Sequence, residues 1–335
     1  MRKKAATIKD VAELAGVSIS SVSRVLNNSD ANSDTMRERV LAAVETLSYK
    51  PNALARGLKT NSTQTAALVV TDISNPFFSG IAREAEAYLS EHGYTLIICN
   101  TGEDPDRELR HLQKLRERQV DGFLLCATGR NNGLIREMHD AGIPIILIDR
   151  AYHDLPLDIV KDDNAYGGWL LADLLIQRGH RRIAFLRGAQ SSMASLEREQ
   201  GFRQACAQHG IPLDEALFLS GGVSGDSTRE SIGRILEMPV PPTAIFAANI
   251  LIAKTAISVL AERGLTLPGD MALVCYGMEE LKRLYRPSIT CILQNPSLVG
   301  HLAAQMMVKR LSGGDADPAP CKIVLQPDLF VGDSV

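Results

Sequence analysis

The sequence lacks any apolar run of about 18 residues, which is the length that a membrane-spanning helix requires. Its N-terminus, MRKKAATIKD, also lacks the apolar core of a secretory signal peptide. We therefore expect the protein to remain in the cytoplasm and to have no membrane partner.

Cysteine and histidine occur without the spacings of a metal site. The six cysteines stand singly, several of them within apolar, strand-like runs, and none forms a CxxC pair. The seven histidines have neither a paired cysteine nor a repeated spacing. The pattern predicts buried thiols, and it predicts neither a disulfide framework nor a metal site.

Motifs of catalysis are missing as well. No GxGxxG or GxxxxGK[ST] loop opens a strand-helix unit, and no GxSxG nucleophile turn is present. Glu279 and Glu280 are neighbours in the sequence, and such neighbours need not converge on one bond. We therefore expect a protein that is not an enzyme and that uses no cofactor.

The charges are distributed unevenly over the 335 residues. Residues 1–62 contain ten Lys or Arg and six Asp or Glu, a net charge of +4, whereas the remainder contains 26 and 33, a net charge of −7. A chain of this length is expected to form two or three domains. A basic first domain on an acidic body indicates that only the N-terminal part meets a polyanion.

Two short amphipathic helices are indicated within TIKDVAELAGVSISSVSRVLNN, residues 7–28. Apolar residues at helical spacing form one face of each helix: Val11, Ala12, Leu14 and Ala15 in the first, and Val22, Val25 and Leu26 in the second. Gly16 separates the two helices, and Ser18 is suited to cap the second. The pair predicts a helix-turn-helix, although any small helical hairpin would share this pattern.

The outward face of the second helix favours DNA binding over a generic hairpin. It carries Ser20, Ser21 and Arg24, whose side chains can hydrogen-bond base edges or phosphates. A third helix is indicated after a possible cap at Ser33, with an inward stripe of Val40, Leu41, Val44 and Leu47.

Beyond residue 65 the pattern changes to alternating strands and helices. The apolar runs AALVVT, YTLIIC, GFLLCA and PIILID form one series, and RIAFLR, ALFLS, TAIFAA and MALVCY form a second. Nearly continuous apolar runs are typical of parallel strands that are buried on both faces. Two such series predict an α/β body of two doubly wound parallel-sheet subdomains.

The N-terminal segment, together with YKPNALARGLK at residues 49–59, resembles the headpiece of the LacI/GalR family of bacterial transcription regulators. The resemblance extends loosely over nearly the whole chain. It implies a small all-α helix-turn-helix headpiece (1–50), a hinge helix and linker (51–64), and an effector-binding and dimerisation domain (65–335) of the type I periplasmic-binding-protein fold. Asn32 departs from the small apolar residue that the family usually places before the third helix.

The resemblance also implies how DNA is bound. The residues expected to contact it are Thr7, Ser18, Ser20, Ser21, Arg24, Asn27, Asn52, Arg56, Leu58 and Lys59. Leu58 would be a wedge that enters the minor groove from the hinge helix. Without the resemblance, residues 51–64 are typical of a linker, because Gly57 and the short length disfavour an isolated helix.

The family fold implies that the chain crosses between the subdomains three times, near Asp162, Leu293 and Pro318. The first subdomain would comprise about 65–162 and 293–318, and the second about 163–292 and 319–335, including the strand KIVLQ at residues 322–326. No heptad-patterned helix follows before Val335, so we expect a homodimer rather than a tetramer.

Ligands of open α/β sheets bind at the carboxyl ends of the strands. LIDRAY places Asp149 and Arg150 at the end of the fourth strand, and Arg198 lies where family members hold the effector. The full set of expected effector-binding residues is Asp72, Ser74, Phe77, Phe78, Arg150, Asp163, Arg198, Asn249 and Gln294.

The family members that bind neutral sugars commonly carry Asp at two positions that here are Ile250 and Gly277. The loss of two carboxylates beside Arg150 and Arg198 predicts a more positive cleft than in those family members and an anionic effector, either a sugar acid or a sugar phosphate.

The sequence thus predicts a DNA-binding regulator, by family habit a repressor of carbohydrate-utilisation genes, controlled by a small effector. One alternative is a sugar-binding or sugar-processing protein whose N-terminal helices only mediate association. Another is a family member that binds DNA without any effector.

Overall fold

The structure is a computed structural model that describes residues 6–26, 34–49, 62–150, 155–189, 192–221, 225–277, 279–313 and 319–335. The chain divides into two compact units, Met1–Thr63 and Gln64–Val335. Asn27, Asn52, Arg56, Leu58 and Lys59, and the proposed cap at Ser33, lie outside the described residues.

The first unit contains α1 (Ile8–Ala15), α2 (Ile19–Leu26) and α3 (Asp34–Thr46). Thr7 begins α1 with a capping box, in which the Thr7 amide donates to Asp10 Oδ2 at 2.7 Å and the Asp10 amide donates to Thr7 Oγ1 at 3.4 Å. Gly16 ends α1 with a left-handed φ of 64°, which glycine adopts without strain. The first helix therefore ends before Gly16 and the second begins after Ser18, as the sequence indicated.

The core of this unit differs from the predicted apolar faces at two positions. Leu14 is 54% exposed and Leu41 is 48% exposed, so the placement of both in the core is wrong. Ala15 is buried as predicted, and Ala43, which was not predicted, is buried as well. The helices approach closely at alanine positions, and the longer side chains on the flanks remain in solvent.

The second unit contains two six-stranded sheets. Their strands are β1 (Thr65–Val70), β2 (Thr95–Asn100), β3 (Gly122–Leu125), β4 (Ile145–Ile148), β5 (Asp158–Asp162), β6 (Ile183–Arg187), β7 (Phe218–Ser220), β8 (Ala244–Ala247), β9 (Ala272–Gly277), β10 (Thr290–Leu293), β11 (Lys322–Leu325) and β12 (Asp328–Phe330). The first sheet has the order β11-β5-β4-β3-β1-β2 and the second β12-β10-β9-β8-β6-β7. Among the described strands, only β12 runs antiparallel to its neighbour. The predicted fold class is confirmed.

Nine α-helices of this unit are described. They are α4 (Pro76–Glu91), α5 (Pro105–Glu117), α6 (Asn132–Asp140), α7 (Asn164–Gln177), α8 (Met193–Gln208), α9 (Gly225–Leu236), α10 (Ile250–Glu262), α11 (Glu279–Arg283) and α12 (Pro296–Leu311). In β1, Leu68 and Val70 pack beneath α4 and α12, whereas Ala67 and Val69 face the opposite layer. This burial on both faces explains the continuous apolar runs of the sequence. No described helix is long and apolar enough to cross a bilayer.

The strand KIVLQ belongs to the first sheet, so its assignment to the second subdomain is wrong. β11 pairs in parallel with β5, from Lys322 opposite Ile159 to Leu325 opposite Asp162. This pairing supplies backbone partners for an edge of β5 that would otherwise be open. The third crossing therefore lies at residues 326–327, between β11 and β12, and not near Pro318.

All six cysteines are free thiols. Cys126, Cys206, Cys275 and Cys291 are buried, as predicted, but Cys99 is half-buried and Cys321 is exposed. Cys321 immediately precedes the edge strand β11, where one side faces solvent, so its predicted burial is wrong.

Candidate functional site

A cavity of about 340 Å³ lies between the two sheets of the second unit. Eight residues expected to bind an effector line it: Asp72, Ser74, Phe77, Phe78, Arg150, Arg198, Asn249 and Gln294. They come from segments that follow β1, β4, β6, β8 and β10. The carboxyl ends of parallel strands meet at one edge of each sheet, and this topology brings the eight together.

The turn after β1 forms one wall of the cavity. Asp72 Oδ1 accepts hydrogen bonds from the Ser74 amide at 3.0 Å and the Ser74 hydroxyl at 2.7 Å. Asn75 then caps α4, accepting from the Phe77 amide at 3.1 Å. The first helical turn thereby carries the rings of Phe77 and Phe78, in edge contact at 5.2 Å, to the cavity.

Arg150 lies on the same side, and each of its two terminal nitrogens donates a hydrogen bond to a carboxylate. It is 5% exposed, and these nitrogens donate to the Glu103 carboxylate at 2.5 and 2.8 Å. Glu103 also lines the cavity. A bidentate pair of this kind neutralises the guanidinium and holds its plane fixed. Glu103 was missed in the sequence, although it follows β2 as the other candidates follow their strands.

Arg198 reaches the cavity from the opposite side, on α8. Its Nη1 donates to the Ala248 carbonyl at 2.6 Å, and its guanidinium lies 3.8 Å from the centre of the Tyr276 ring. Its Nη2 stands 3.9 Å from Asp149 Oδ1, too far for a hydrogen bond. Asp149 Oδ1 is buried and has no hydrogen-bond partner among the residues that the structure describes. The buried Asp149 oxygen and the Arg198 guanidinium are therefore close to each other without forming a hydrogen bond.

The charges of the described lining residues balance, whereas the sequence predicted a cleft more positive than that of relatives that bind neutral sugars. Among the described residues, three carboxylates and three cationic side chains line the cavity: Asp72, Glu103 and Asp149 against Arg150, Arg198 and Lys254. Ile250 contributes an apolar wall, and Gly277 is not among the lining residues. The carboxylates come from the first sheet, so the two acidic positions that the sequence lacks do not decide the charge of the cleft.

Asp163 does not line this cavity, so the prediction that it lies in the cleft is wrong. Its carboxylate accepts a hydrogen bond from the Tyr166 amide at 3.1 Å and caps α7. Its neighbour Asp162 is bound by Gln294, whose Nε2 donates to Asp162 Oδ2 at 3.0 Å. This hydrogen bond connects the first place where the chain crosses between the subdomains, at Asp162, with the second, at Gln294.

Burial raises the pKa of the Asp162 carboxyl above its ordinary value of 3.8, against the lowering effect of the Gln294 hydrogen bond. The folded protein therefore binds this proton more tightly than the unfolded chain does. Asp162 consequently destabilises the fold progressively as the pH rises through its raised pKa.

We expect Asp162→Asn to increase the free energy of unfolding at pH 7 and to leave it unchanged near pH 3, as measured by urea unfolding across that range. Asp270→Asn is a control for which we expect the opposite effect on stability. The Thr266 side chain and amide lower the pKa of Asp270, so this substitution should destabilise the protein at pH 7. An unchanged pH profile for Asp162→Asn would contradict the prediction.

In the first unit, α2 presents a group of serines. Ser18 Oγ accepts from the Ser21 amide at 3.1 Å and lies 2.7 and 2.9 Å from the hydroxyls of Ser20 and Ser21. Ser18, Ser20 and Arg24 are exposed, and Ser21 is half-buried. Hydroxyls and a guanidinium on one exposed helix face are able to donate to phosphates and base edges.

Comparison with known proteins agrees with this architecture. The family described as "Periplasmic binding proteins and sugar binding domain of LacI family" matches residues 63–327, and "Bacterial regulatory proteins, lacI family" matches residues 7–52. An HTH-type transcriptional repressor PurR of Vibrio atlanticus (strain LGP32) is 36% identical over 312 residues, which are 92% of this chain and 93% of that protein.

Two solved structures are also similar. The transcriptional regulator CelR in complex with cellobiose is 32% identical, with a TM-score of 0.73 over 98% of this chain and 100% of that one. A lac repressor dimer bound to operator and the anti-inducer ONPF is 24% identical, with a TM-score of 0.84 over 99% of both chains, and it supports the fold alone. The chain belongs to the LacI family of bacterial regulatory proteins.

Proposed function

We propose that this protein is a sequence-specific DNA-binding transcriptional regulator that acts as a homodimer on a near-palindromic operator. The observation that carries the proposal is the exposed polar face of α2, with Ser18, Ser20 and Arg24, in a chain of the LacI family. Repression is the sign that we propose, because the PurR relatives are named transcriptional repressors.

In this proposal α2 enters the major groove of each half-site. Arg24 reads bases with Ser20 and Ser21, while Thr7 and Ser18 contact the backbone near the ends of their helices. The contacts that the family resemblance implies for Asn27, Asn52, Arg56, Leu58 and Lys59 remain part of the proposal. Paired headpieces on one operator require the two-fold symmetry of a dimer.

The test is retention of genomic DNA fragments by the full-length protein, followed by gel shifts on a retained fragment. We expect affinity to fall steeply with salt, because phosphate contacts release counterions. Arg24→Ala should weaken specific binding by about 1–3 kcal/mol and relax sequence preference. As a control, Arg39→Ala removes the same charge from an exposed position of α3 and should leave sequence preference unchanged.

Failure to retain any specific fragment would contradict the regulator and favour a sugar-binding or sugar-processing protein whose N-terminal helices mediate association. Equal losses for Arg24→Ala and Arg39→Ala would contradict the role of α2 in reading bases.

We further propose that the cavity takes a small neutral sugar and that the controlled genes serve carbohydrate use. Asp149 Oδ1 can accept a hydroxyl hydrogen, and Arg198 Nη2 can donate to the oxygen of the same or an adjacent hydroxyl. Phe77 and Phe78 offer apolar contact to the faces of a sugar ring. The balanced charges of the cleft remove the argument for a sugar acid or sugar phosphate.

The relatives support two classes of effector. CelR, at 32% identity, was solved with cellobiose, and an Enterococcus faecium LacI-family regulator, at 25% identity, with ribose. The PurR relatives suggest a purine-related effector instead. We favour the sugar because a hydroxyl satisfies the buried acceptor of Asp149 and the adjacent donor of Arg198 together.

Control by this effector follows from the position of the cavity. A ligand between the two sheets that binds one relative orientation more tightly shifts the population towards it. A coupling free energy of about 1–3 kcal/mol changes operator affinity by roughly 5- to 150-fold. A regulator without an effector would show no change in operator affinity with any ligand.

A further inference from the structure

We propose that Asn164, Glu197 and Lys161 form a relay that positions Arg198 in the cleft and links it to the first sheet. The relay connects buried or half-buried polar groups from β5, α7 and α8. Its importance for effector binding rests on the proposed function, whereas its effect on Arg198 itself does not.

The first step of the relay is the contact between Arg198 and Asn164. Arg198 Nε donates to Asn164 Oδ1 at 2.8 Å, and Asn164 is completely buried at the first turn of α7. The backbone carbonyl of Asn164 accepts from the Tyr276 hydroxyl at 2.9 Å, and the Tyr276 ring supports the Arg198 guanidinium. Asn164 therefore holds the end of Arg198 that lies away from the cavity.

The second step fixes the orientation of the Asn164 amide. Its Nδ2 donates to Glu197 Oε2 at 3.2 Å. Because a carboxylate only accepts hydrogen bonds, Glu197 requires the amino end of Asn164 and leaves the oxygen for Arg198. A rotated amide would present donor to donor at Arg198 and acceptor to acceptor at Glu197.

The third step joins the relay to the other subdomain. Lys161 Nζ donates to Glu197 Oε1, and the Lys161 side chain is 9% exposed while that of Glu197 is 22% exposed. Lys161 belongs to β5 of the first sheet, and Glu197 to α8, which packs on the second. A change in the angle between the subdomains that separates this pair would release Glu197, and with it the orientation of Asn164.

The relay can be tested without DNA or ligand by the hydrogen exchange of the Arg198 Nε–H group. The full-length protein, labelled with ¹⁵N-arginine, gives one Nε–H resonance per slowly exchanging arginine, and loss of one resonance in Arg198→Lys assigns it. We expect Lys161→Met and Glu197→Gln each to accelerate the exchange of Arg198 Nε–H by about tenfold. The double variant should exchange at nearly the same rate as either single variant, because both substitutions break the same Lys161–Glu197 pair.

A matched control lies on the same helix. Glu199 is 7% exposed, and its carboxylate pairs with Arg187 and Arg203; among the described residues it forms no side-chain hydrogen bond or ion pair with Arg198 or Asn164. Glu199→Gln should leave Arg198 exchange unchanged. A rescue variant completes the design: in Asn164→Asp with Glu197→Gln, the new carboxylate accepts from both sides, and slow exchange should return.

Equal acceleration in Glu199→Gln and Glu197→Gln would overturn the proposal, because general loosening of α8 would explain both. Unchanged exchange in Lys161→Met would also overturn it. Failure of operator binding contradicts only the proposed function, since this measurement uses neither DNA nor effector.

Discussion

Replacing Asp149 by asparagine is expected to lower the affinity for the effector about tenfold, as measured by calorimetry with the full-length protein. A hydrogen bond to a charged group contributes about 1.5–3 kcal/mol and one to a neutral amide oxygen about 0.5–1.5 kcal/mol, so asparagine should lose roughly 1–1.5 kcal/mol. Among the described residues, the buried Asp149 Oδ1 has no hydrogen-bond partner that could take the place of the effector. Asp149 has a φ of +65°, a conformation that asparagine also tolerates, so the fold should be retained.

The ligand for this measurement comes from a panel of neutral sugars, sugar acids, sugar phosphates and purine bases. We expect a neutral sugar to bind. Asp140→Ala, which removes an exposed carboxylate at the end of α6, should not change its affinity. Tight binding of only a purine or an anionic sugar would contradict the proposed effector class, and an unchanged affinity in Asp149→Asn would contradict the role of Asp149.

Gly201→Ala is expected to destabilise the second unit by about 3 kcal/mol, at the upper end of the usual cost of overpacking. A Cβ at Gly201 would lie 1.9 Å from the Ala165 carbonyl oxygen and 2.7 Å from the Trp169 amide nitrogen. Both are backbone atoms of α7, so no side-chain rotation can relieve the clash, and α7 must move away from α8. Urea unfolding followed by circular dichroism measures the loss.

The control substitution is Gly133→Ala in α6, where an added Cβ meets no atom within 4 Å. Alanine is favoured over glycine in helices by about 1 kcal/mol, so this variant should be as stable as the wild type or more stable. Similar destabilisation by both changes would show that the α7–α8 contact is not special. The same α7–α8 contact includes Asn164 and Arg198, so the distance between these helices also affects the cleft.

The sequence predicted the strands whose surroundings are uniform. β1 and β8 are apolar on both faces, and their runs indicated strands directly. β5, Asp158–Asp162, did not appear in the predicted series because its composition is charged. In the structure Arg310 binds Asp158 at 2.7 and 2.8 Å, Glu197 binds Lys161, and Gln294 binds Asp162. Partners distant in sequence make burial of this strand possible.

In the candidate cleft, too, the sequence predicted some features and missed others. Position after a strand predicted Asp72 and Arg150, position at the second crossing between subdomains predicted Gln294, and all three line one cavity. Chain position failed for Asp163, which was expected in the cleft because it lies at the first crossing but whose side chain turns back to cap α7. It also gave no information on pairing, so Arg150 was taken as a free cation although Glu103 neutralises it.

What the sequence by itself determined are the features set by local periodicity and local motifs: the capped helices of the headpiece, the two series of buried strands, and the family. Only the tertiary structure decided the edge position of β11, the neutral charge of the cleft and the orientation of Arg198. The physical reason is that electrostatics and edge pairing depend on partners far apart in the chain. Glu103 and Arg150 are 47 residues apart, and Asn164 and Arg198 are 34 apart. No local pattern records such a distance.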